Sequence, residues 1–338
     1  MLFYIATTLS FAFAALLAPA AAGNIEALGD PDLSVYEYSF DTTVDEDCQY
    51  THTFTFIHPE DFPVGTFDTD GTCRPGVLAP DDIPFIAGRW YYQRLPEYVR
   101  EATGLDHPSI DWNPCGHPTH GWLSPHYDIH MYTVTPEYRS ETMTCNLLQQ
   151  TPVCEPDTQN TPEGLAFWNL TMTEDRKLIN MPPGYNYSDF EAVQHMGMHC
   201  FHPDDVAATP AEWLTPVWVI CSYGGQINAV EPMLPFHFIS GDDNQFYEKK
   251  DIEYVEQSSA YPYLPTYYSV DFDSETKVVT IVLKGKSYTC KDEFDTAKAE
   301  FEAANTEAPL PDDDDNSGAS SVMPSLLGIA ALVSFLLF

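Results

Sequence analysis

The chain has 338 residues, with 51 acidic and 14 basic side chains and a formal net charge of −37. This charge excludes nucleic acid as a natural partner, because neutralising phosphates requires a surplus of lysine and arginine. It concentrates cations near the surface, although the same charge also simply keeps a protein soluble in a salty medium.

Residues 1–22 predict a secretory signal peptide. The run is apolar and uncharged, and it ends in three alanines, which is typical of a cleavage site of the A-x-A type. The mature chain is then expected to begin at Gly23 with an acidic, extended lead-in over residues 23–47. A single mainly-β domain is expected over residues 48–304, because that length suits one large domain.

The patterns within this domain predict many short strands and few helices. Alternating side chains predict strands at residues 50–56 and 126–132, and apolar runs predict strands at residues 236–239 and 278–283. Residues 215–223 and 227–231 flank a Gly-Gly pair and predict a hairpin. Helices are predicted at residues 95–104, 189–194 and 293–304, and loops at residues 59–84 and 136–165. This pattern is typical of an antiparallel β-barrel or sandwich with a few short helices.

Residues 115–132 are the richest segment in groups that can bind a metal. His126, Asp128 and His130 alternate with aromatic and aliphatic residues, so one face of a strand should carry them. Residues i and i+4 of a flat strand stand about 13 Å apart, whereas zinc lies about 2 Å from an imidazole nitrogen. His126 and His130 can therefore share one ion only on a bent strand; otherwise one binds and the other packs or hydrogen-bonds. Asp128 could ligate, orient a histidine or accept a proton.

Further ligands have to come from other elements of the chain. His199 is the leading candidate, because Gly197 before it allows a close approach of the backbone. Other candidates are His117 and His120 on the Gly- and Pro-rich approach to the strand, Glu231 on the hairpin, and Cys115, for which a disulfide is the favoured use. A hydrogen-bonded polar core is the alternative for the whole cluster. Ordinary core or surface positions are expected for His52, His58, His107 and His202.

Eight cysteines in a secreted chain predict up to four disulfides, and the absence of a CxxC pair gives no support to a zinc ribbon. Cys145 and Cys154 could close a loop, while the other pairings stay open. Sequons at Asn169 and Asn186 predict N-glycosylation of an exposed surface.

The C-terminal end predicts a lipid anchor. Residues 305–317 form an acidic stalk, and residues 318–338 form a small-residue and apolar tail with no basic residue after it. This pattern indicates a GPI-attachment signal, with the lipid joined near Asn316. The alternative is a single membrane helix, which usually needs about 20 apolar residues and a basic cytoplasmic flank. Both alternatives place the folded part outside the cell.

Five short motifs occur in the order found in the TTHB210-like domain family of small secreted bacterial proteins. They lie at residues 103–107, 111–118, 125–132, 196–199 and 231–233, and include Gly-His-Pro, Pro-His-Tyr-Asp-Ile-His-Met-Tyr, Met-Gly-Met-His and Glu-Pro-Met. The chain resembles this family over residues 90–240. The resemblance implies a β-barrel-like architecture and site residues at His117, His126, Asp128, His130, His199 and Glu231. His120 and Cys115 depart from the family pattern, and the family's activity is not established.

Three functions follow as hypotheses. The first is a secreted, GPI-anchored β-barrel that binds a divalent transition metal; imidazole with carboxylate suits zinc best, with copper, iron and manganese as alternatives. The second is a zinc-dependent hydrolase or hydratase, with Glu231 or Asp128 as proton acceptor. The third is a small-ligand carrier or structural coat protein. The expected partners are the metal ion and the membrane, through the lipid anchor.

Overall fold

The structure is a computed structural model that describes residues 38–58, 66–67, 73–74, 94–113, 116, 122, 124–148, 151–154, 182, 184–193, 195–205, 212–254 and 263–306. The predicted signal peptide, the C-terminal tail and five predicted site residues lie outside these ranges: Cys115, His117, His120, Asn169 and Asn316. Within the described residues, no helix has the length and apolar character needed to span a membrane.

The described residues are mainly β, with antiparallel strands and few helices, as predicted. The strands are β1 (Tyr38–Val44), β2 (Gln49–Ile57), β3 (Thr66–Phe67), β4 (Cys73–Arg74), β5 (His107–Asn113), β6 (His126–Tyr132), β7 (Cys145–Leu148), β8 (Thr151–Cys154), β9 (Asn186–Val193), β10 (Gly197–Phe201), β11 (Val217–Tyr223), β12 (Gln226–Pro235), β13 (Gln245–Lys249), β14 (Tyr267–Phe272) and β15 (Val278–Lys286). The helices are α1 (Glu97–Thr103), α2 (Pro136–Glu141), α3 (Phe236–Ile239) and α4 (Lys291–Thr306), with a 3-10 turn at Pro203–Asp205.

Two large sheets carry the fold. One has five strands in the order β1-β2-β15-β14-β13, and the other has six in the order β5-β6-β12-β11-β10-β9. Side chains from both sheets belong to one hydrophobic core, which includes Phe54 and Ile281 from the first and Ile129 and Trp218 from the second. The arrangement is therefore sandwich-like, and the described strands do not close into a barrel.

The six-stranded sheet is covered on its other face as well. A second apolar cluster lies there, with Trp122 and Trp213 packed beside Val217, Val219 and other residues of the sheet. As a result, all seven residues of β6 are buried, although polar and apolar side chains alternate along the strand. Strand β6 thus lies between two cores, one on each side of the sheet.

Several predicted elements are confirmed. The strand predicted at residues 50–56 is β2, whose alternate residues from Tyr50 to Phe56 are buried. The predicted hairpin is β11–β12, and the helix predicted at residues 95–104 is α1, which ends at Gly104 in a left-handed conformation with φ 71°. Helix α4 includes the predicted residues 293–304, and β15 includes residues 278–283.

Other predictions were wrong. Residues 189–194 were expected to be helical, but residues up to Val193 belong to β9, because pairing with β10 overrides a weak local preference. Residues 236–239 were expected to be a strand, but they form α3, because Pro235 ends β12 and leaves the next residues outside the ladder. The region 136–165, expected to be loops, contains α2 and the β7–β8 pair.

One disulfide joins the two ends of the described chain. Cys48, just before β2, is bonded to Cys290, just before α4. Cys221 is a free thiol, so the predicted upper limit of four disulfides, which needs all eight cysteines, is not reached. Cys145 and Cys154 lie opposite each other in the β7–β8 pair, and their predicted link stays a prediction. Strand β1 lies within the segment predicted as an extended acidic lead-in.

Candidate metal centre

Four neighbouring strands bring four donor side chains to the same face of the six-stranded sheet. His199 on β10 lies directly opposite Cys221 on β11. Cys221 and Val219 share a face, and Val219 lies opposite Glu231 on β12. The flanking pairs Val230–Met131 and Met233–Asp128 place Glu231 opposite His130 on β6. Because cross-strand partners point to the same side of a sheet, the four donors form one group.

The donor atoms of this group converge on the carboxylate of Glu231. Its Oε2 lies 3.6 Å from His130 Nε2, 3.6 Å from His199 Nε2 and 3.6 Å from Cys221 Sγ. All four donor atoms lie within 4.8 Å of one another, and all four residues are buried. Bonds of 2.0–2.3 Å to a tetrahedral zinc separate neighbouring ligands by about 3.3–3.6 Å. This buried His/His/Cys/Glu group could therefore hold a metal ion.

The electrostatics of the group favour a proton on sulfur when no cation is bound. Burial raises the pKa of Cys221 well above its usual range, and the nearby Glu231 carboxylate adds to this shift. The Cys221 thiol accordingly donates a hydrogen bond to Glu231 Oε2. A metal cation reverses this preference, because a coordinating thiol is deprotonated.

Asp111 provides a second carboxylate behind His130. The distance from His130 Nδ1 to Asp111 Oδ2 is 3.7 Å, and Asp111 Oδ2 also accepts a hydrogen bond from Ser109 Oγ at 3.2 Å. Burial, and then the charge of Asp128, raises the pKa of Asp111 well above its usual range. A carboxylate on the far side of a ligating imidazole fixes its tautomer and orientation, so Asp111 is placed to support His130 as a ligand.

His126 and Asp128 form a separate pair outside the donor group. His126 Nε2 lies 3.1 Å from Asp128 Oδ1, and its Nδ1 donates to the Ser124 carbonyl at 2.6 Å. The other oxygen of Asp128 accepts a hydrogen bond from Asn113 Nδ2 at 2.6 Å. Of the alternatives open for β6, the structure therefore has His130 in the donor group and His126 hydrogen-bonded.

Tyr132 and its neighbours hold His130 in place. The rings of His130 and His107 both stack on Tyr132, with centroids 5.4 Å and 4.9 Å from it. Burial lowers the pKa of His107 to about 4, so its ring is neutral. Its Nδ1 donates to Asp106 and its Nε2 accepts from Arg139, whose guanidinium carbon lies 3.6 Å from the Tyr132 ring centre. His107 is thus a core residue, as predicted, and it supports the site through Tyr132.

The predicted residues divide into three sets. The structure brings together His130, His199 and Glu231; it separates His126 and Asp128 from them; and Cys115, His117 and His120 lie outside the described residues. The approach of β10 that Gly197 was predicted to allow is confirmed, since a Cβ at this position would stand 2.5 Å from the Ser222 carbonyl oxygen.

Two residues of the centre were missed from the sequence, Cys221 and Asp111. Cys221 was counted only toward disulfides, although its place on a predicted hairpin strand beside the strand of Glu231 was a usable signal. The hairpin alone could not give the correct face, because a β-bulge shifts the register between Cys221 and Ser222. Asp111 lay within one of the motifs of the family resemblance.

No protein-family model, no curated protein and no solved structure matches this chain. The resemblance to the TTHB210-like domain family therefore stays a prediction.

Proposed function

We propose that this chain is a metal-binding protein in which His130, His199, Cys221 and Glu231 hold one divalent transition-metal ion. The observation that carries the proposal is the position of Glu231 Oε2, 3.6 Å from each of the other three donor atoms. Gathering a carboxylate, a thiol and two imidazoles in a buried space costs free energy unless a cation or a full set of hydrogen bonds compensates. A bound metal supplies that compensation.

Zinc is the metal that suits this donor set best. Thiolate, imidazole and carboxylate are the three ligand types that zinc accepts, and four of them complete its tetrahedral shell. Copper is the main rival, because two imidazoles and one thiolate with a weak fourth ligand are typical of copper electron-transfer sites.

The closed shell favours binding over hydrolysis. A catalytic zinc usually keeps one position for water beside three protein ligands, whereas this group offers four protein ligands. Glu231 acts as a ligand in this proposal and not as a proton acceptor. Asp128, the other candidate acceptor, pairs with His126 and Asn113 instead. We therefore propose a structural, storage or sensing role for the metal in place of a hydrolase or hydratase.

Metal analysis of the tag-free mature protein tests this proposal. We expect one equivalent of zinc per chain, and we expect Co²⁺ to replace it with an intense visible spectrum and a near-ultraviolet thiolate charge-transfer band. The variant C221S should lose the charge-transfer band, and H130Q should lose the metal. The matched control is H126Q, which removes the other buried histidine of β6 and should keep the metal.

Folded protein that takes up neither zinc nor cobalt would refute the proposal. A strong blue or red colour on addition of Cu²⁺, with tighter binding of copper than of cobalt in the same protein, would assign the site to copper. Equal metal loss in H126Q and H130Q would show that the strand, and not the donor group, determines binding.

The protein is further proposed to act outside the cell, held to the membrane by a GPI anchor near Asn316. The sequence signals at both ends support this location, and the Cys48–Cys290 disulfide is typical of oxidising compartments. Phosphatidylinositol-specific phospholipase C should release the mature protein from cells. Resistance to the lipase, with residues 322–338 still attached in detergent extracts, would identify a membrane helix instead.

A further inference from the structure

A cavity of about 510 Å³ lies at the end of the sandwich where the β11–β12 hairpin turns. Its wall combines the C-terminal end of α1, the residues that follow β6 and two tyrosine-bearing segments near α4. None of the four metal donors lines it, so it is a separate site. Its volume is within the range of small-ligand sites, roughly 300–1,000 Å³.

Aromatic faces dominate the chemistry of this cavity. Four tyrosines line it: Tyr138, Tyr223, Tyr263 and Tyr288. Tyr263 and Tyr288 stack on each other, and Tyr288 remains 50% exposed. Tyrosine rings offer apolar faces together with hydroxyl groups, so they suit a ligand that has both apolar and polar surfaces.

Asn228 lines the cavity with a fixed side chain. It is 2% exposed, its Nδ2 donates to the Met196 carbonyl at 2.9 Å, and its Oδ1 is buried beside Gly197. The amide therefore stabilises the wall and offers no accessible hydrogen-bonding atom to a ligand.

The two charged residues of the wall differ in what they offer a ligand. Arg100 is already partnered, because its Nε donates to the Leu95 carbonyl at 3.0 Å and its Nη1 lies 3.6 Å from Asp106 Oδ2. Glu101 is exposed, and its carboxylate can accept hydrogen bonds from hydroxyl groups. The net charge of −37 opposes anionic ligands, so the wall suits a hydroxylated ligand that can stack on tyrosine rings.

We propose that this cavity binds a neutral saccharide. Tyrosine rings pack against the C–H faces of the sugar rings, and the exposed carboxylate of Glu101 accepts hydrogen bonds from the hydroxyl groups. The volume has room for a short oligosaccharide. A glycan-binding site fits a protein that is proposed to stand on a cell surface, but the argument for the cavity does not depend on the metal or on the anchor.

Saturation-transfer NMR with the purified mature protein tests the inference. The probes are maltotriose, cellotriose, mannotriose and tri-N-acetylchitotriose. Choline tests the alternative that the tyrosines form an aromatic cage for a quaternary ammonium ion. We expect at least one trisaccharide to bind and choline not to bind. Affinity for that trisaccharide should fall about tenfold in Y288A and beyond detection in Y138A/Y288A. It should be equal in metal-free and zinc-loaded protein, which separates this test from that of the metal centre.

Two variants control the experiment. F246A removes an aromatic ring that is 62% exposed on β13 and should leave affinity unchanged. E101A changes an exposed side chain at the cavity, so it should fold normally and weaken binding severalfold. The proposal is overturned if no trisaccharide binds the folded protein, if choline alone binds, or if affinity survives both Y138A/Y288A and E101A.

Discussion

The two faces of β6 are equally buried and chemically opposite. Tyr127, Ile129 and Met131 point into the core between the sheets, whereas His130 and Asp128 lie on the other face. No residue of the strand is more than 6% exposed. The comparison shows that alternation in a sequence reports which residues share a face, and not which face meets solvent.

Different forces stabilise these two faces. The inner face gains free energy from apolar area, which needs no ligand. The outer face holds donors that are costly to bury, among them the carboxylates of Glu231 and Asp111. The inner face should therefore contribute the same free energy of unfolding with and without metal. The contribution of the outer face should depend on whether the metal is bound.

Acid should have the largest effect, because each face holds a neutral histidine. Burial lowers the pKa of His58, which contacts Tyr127 on the inner face, to about 4, and that of His107 on the outer face also to about 4. Unfolded histidine titrates near 6.5, so the unfolded chain binds more protons between these values. The two histidines should lower the free energy of unfolding as the pH drops from about 6.5 to 4, by about 3 kcal/mol each, whereas Asp111, whose pKa is raised in the folded protein, acts in the opposite direction.

Urea unfolding in a chelator at pH 7, 5.5 and 4 measures this loss. H58Q should remove its own share of the pH dependence. A free energy of unfolding that depends on pH in H58Q as it does in the unmutated protein would contradict the prediction.

Zinc should stabilise the protein through the outer face alone. A ligand that binds only the folded state adds about 4 kcal/mol at a thousandfold excess over its Kd. C221A should abolish this gain. C200A should retain it, because Cys200 is also fully buried but belongs to the core between the sheets. Thermal unfolding of each variant with and without zinc measures this stabilisation. An equal stabilisation by zinc in both variants would show that the metal binds elsewhere.

Truncation on the inner face should show the reverse behaviour. I129A removes a fully buried side chain from the core between the sheets and should cost about 3 kcal/mol. The cost should be the same with and without zinc, and the metal content should stay at one equivalent. Denaturant unfolding and metal analysis on the same samples test it; a loss of metal in I129A would mean that the two faces are coupled.

The smallest effect is expected for the carboxylate behind His130. D111N should weaken zinc binding by about tenfold to a hundredfold, because it replaces the partner that orients the imidazole. The metal-free protein should not be destabilised, since one buried carboxylate is removed. Competition with a chelator measures the affinity, and D204N, an exposed substitution, is the control. Unchanged affinity in D111N would show that Tyr132 stacking alone positions His130.

The sequence by itself predicted the elements whose local signals are strong. Alternation gave β2 and β6, the Gly-Gly pair gave the β11–β12 hairpin, and Gly104 marked the end of α1. It also led to His130, His199 and Glu231, through their positions on predicted strands and the family motifs. Local signals failed at β9 and α3, where strand pairing and Pro235 decided the conformation.

Only the tertiary structure decided which donors meet. A two-residue turn at Gly224-Gly225 continues the pairing of Ser222 with Ile227, and in that register Cys221 and Glu231 would lie on opposite faces. The bulge between Cys221 and Ser222 shifts the register by one residue and brings both to the same face. The partners that complete the group, His130 and His199, come from β6 and β10, which are distant in sequence. Register and long-range strand order arise from packing of whole sheets, so a pattern within one segment cannot specify them.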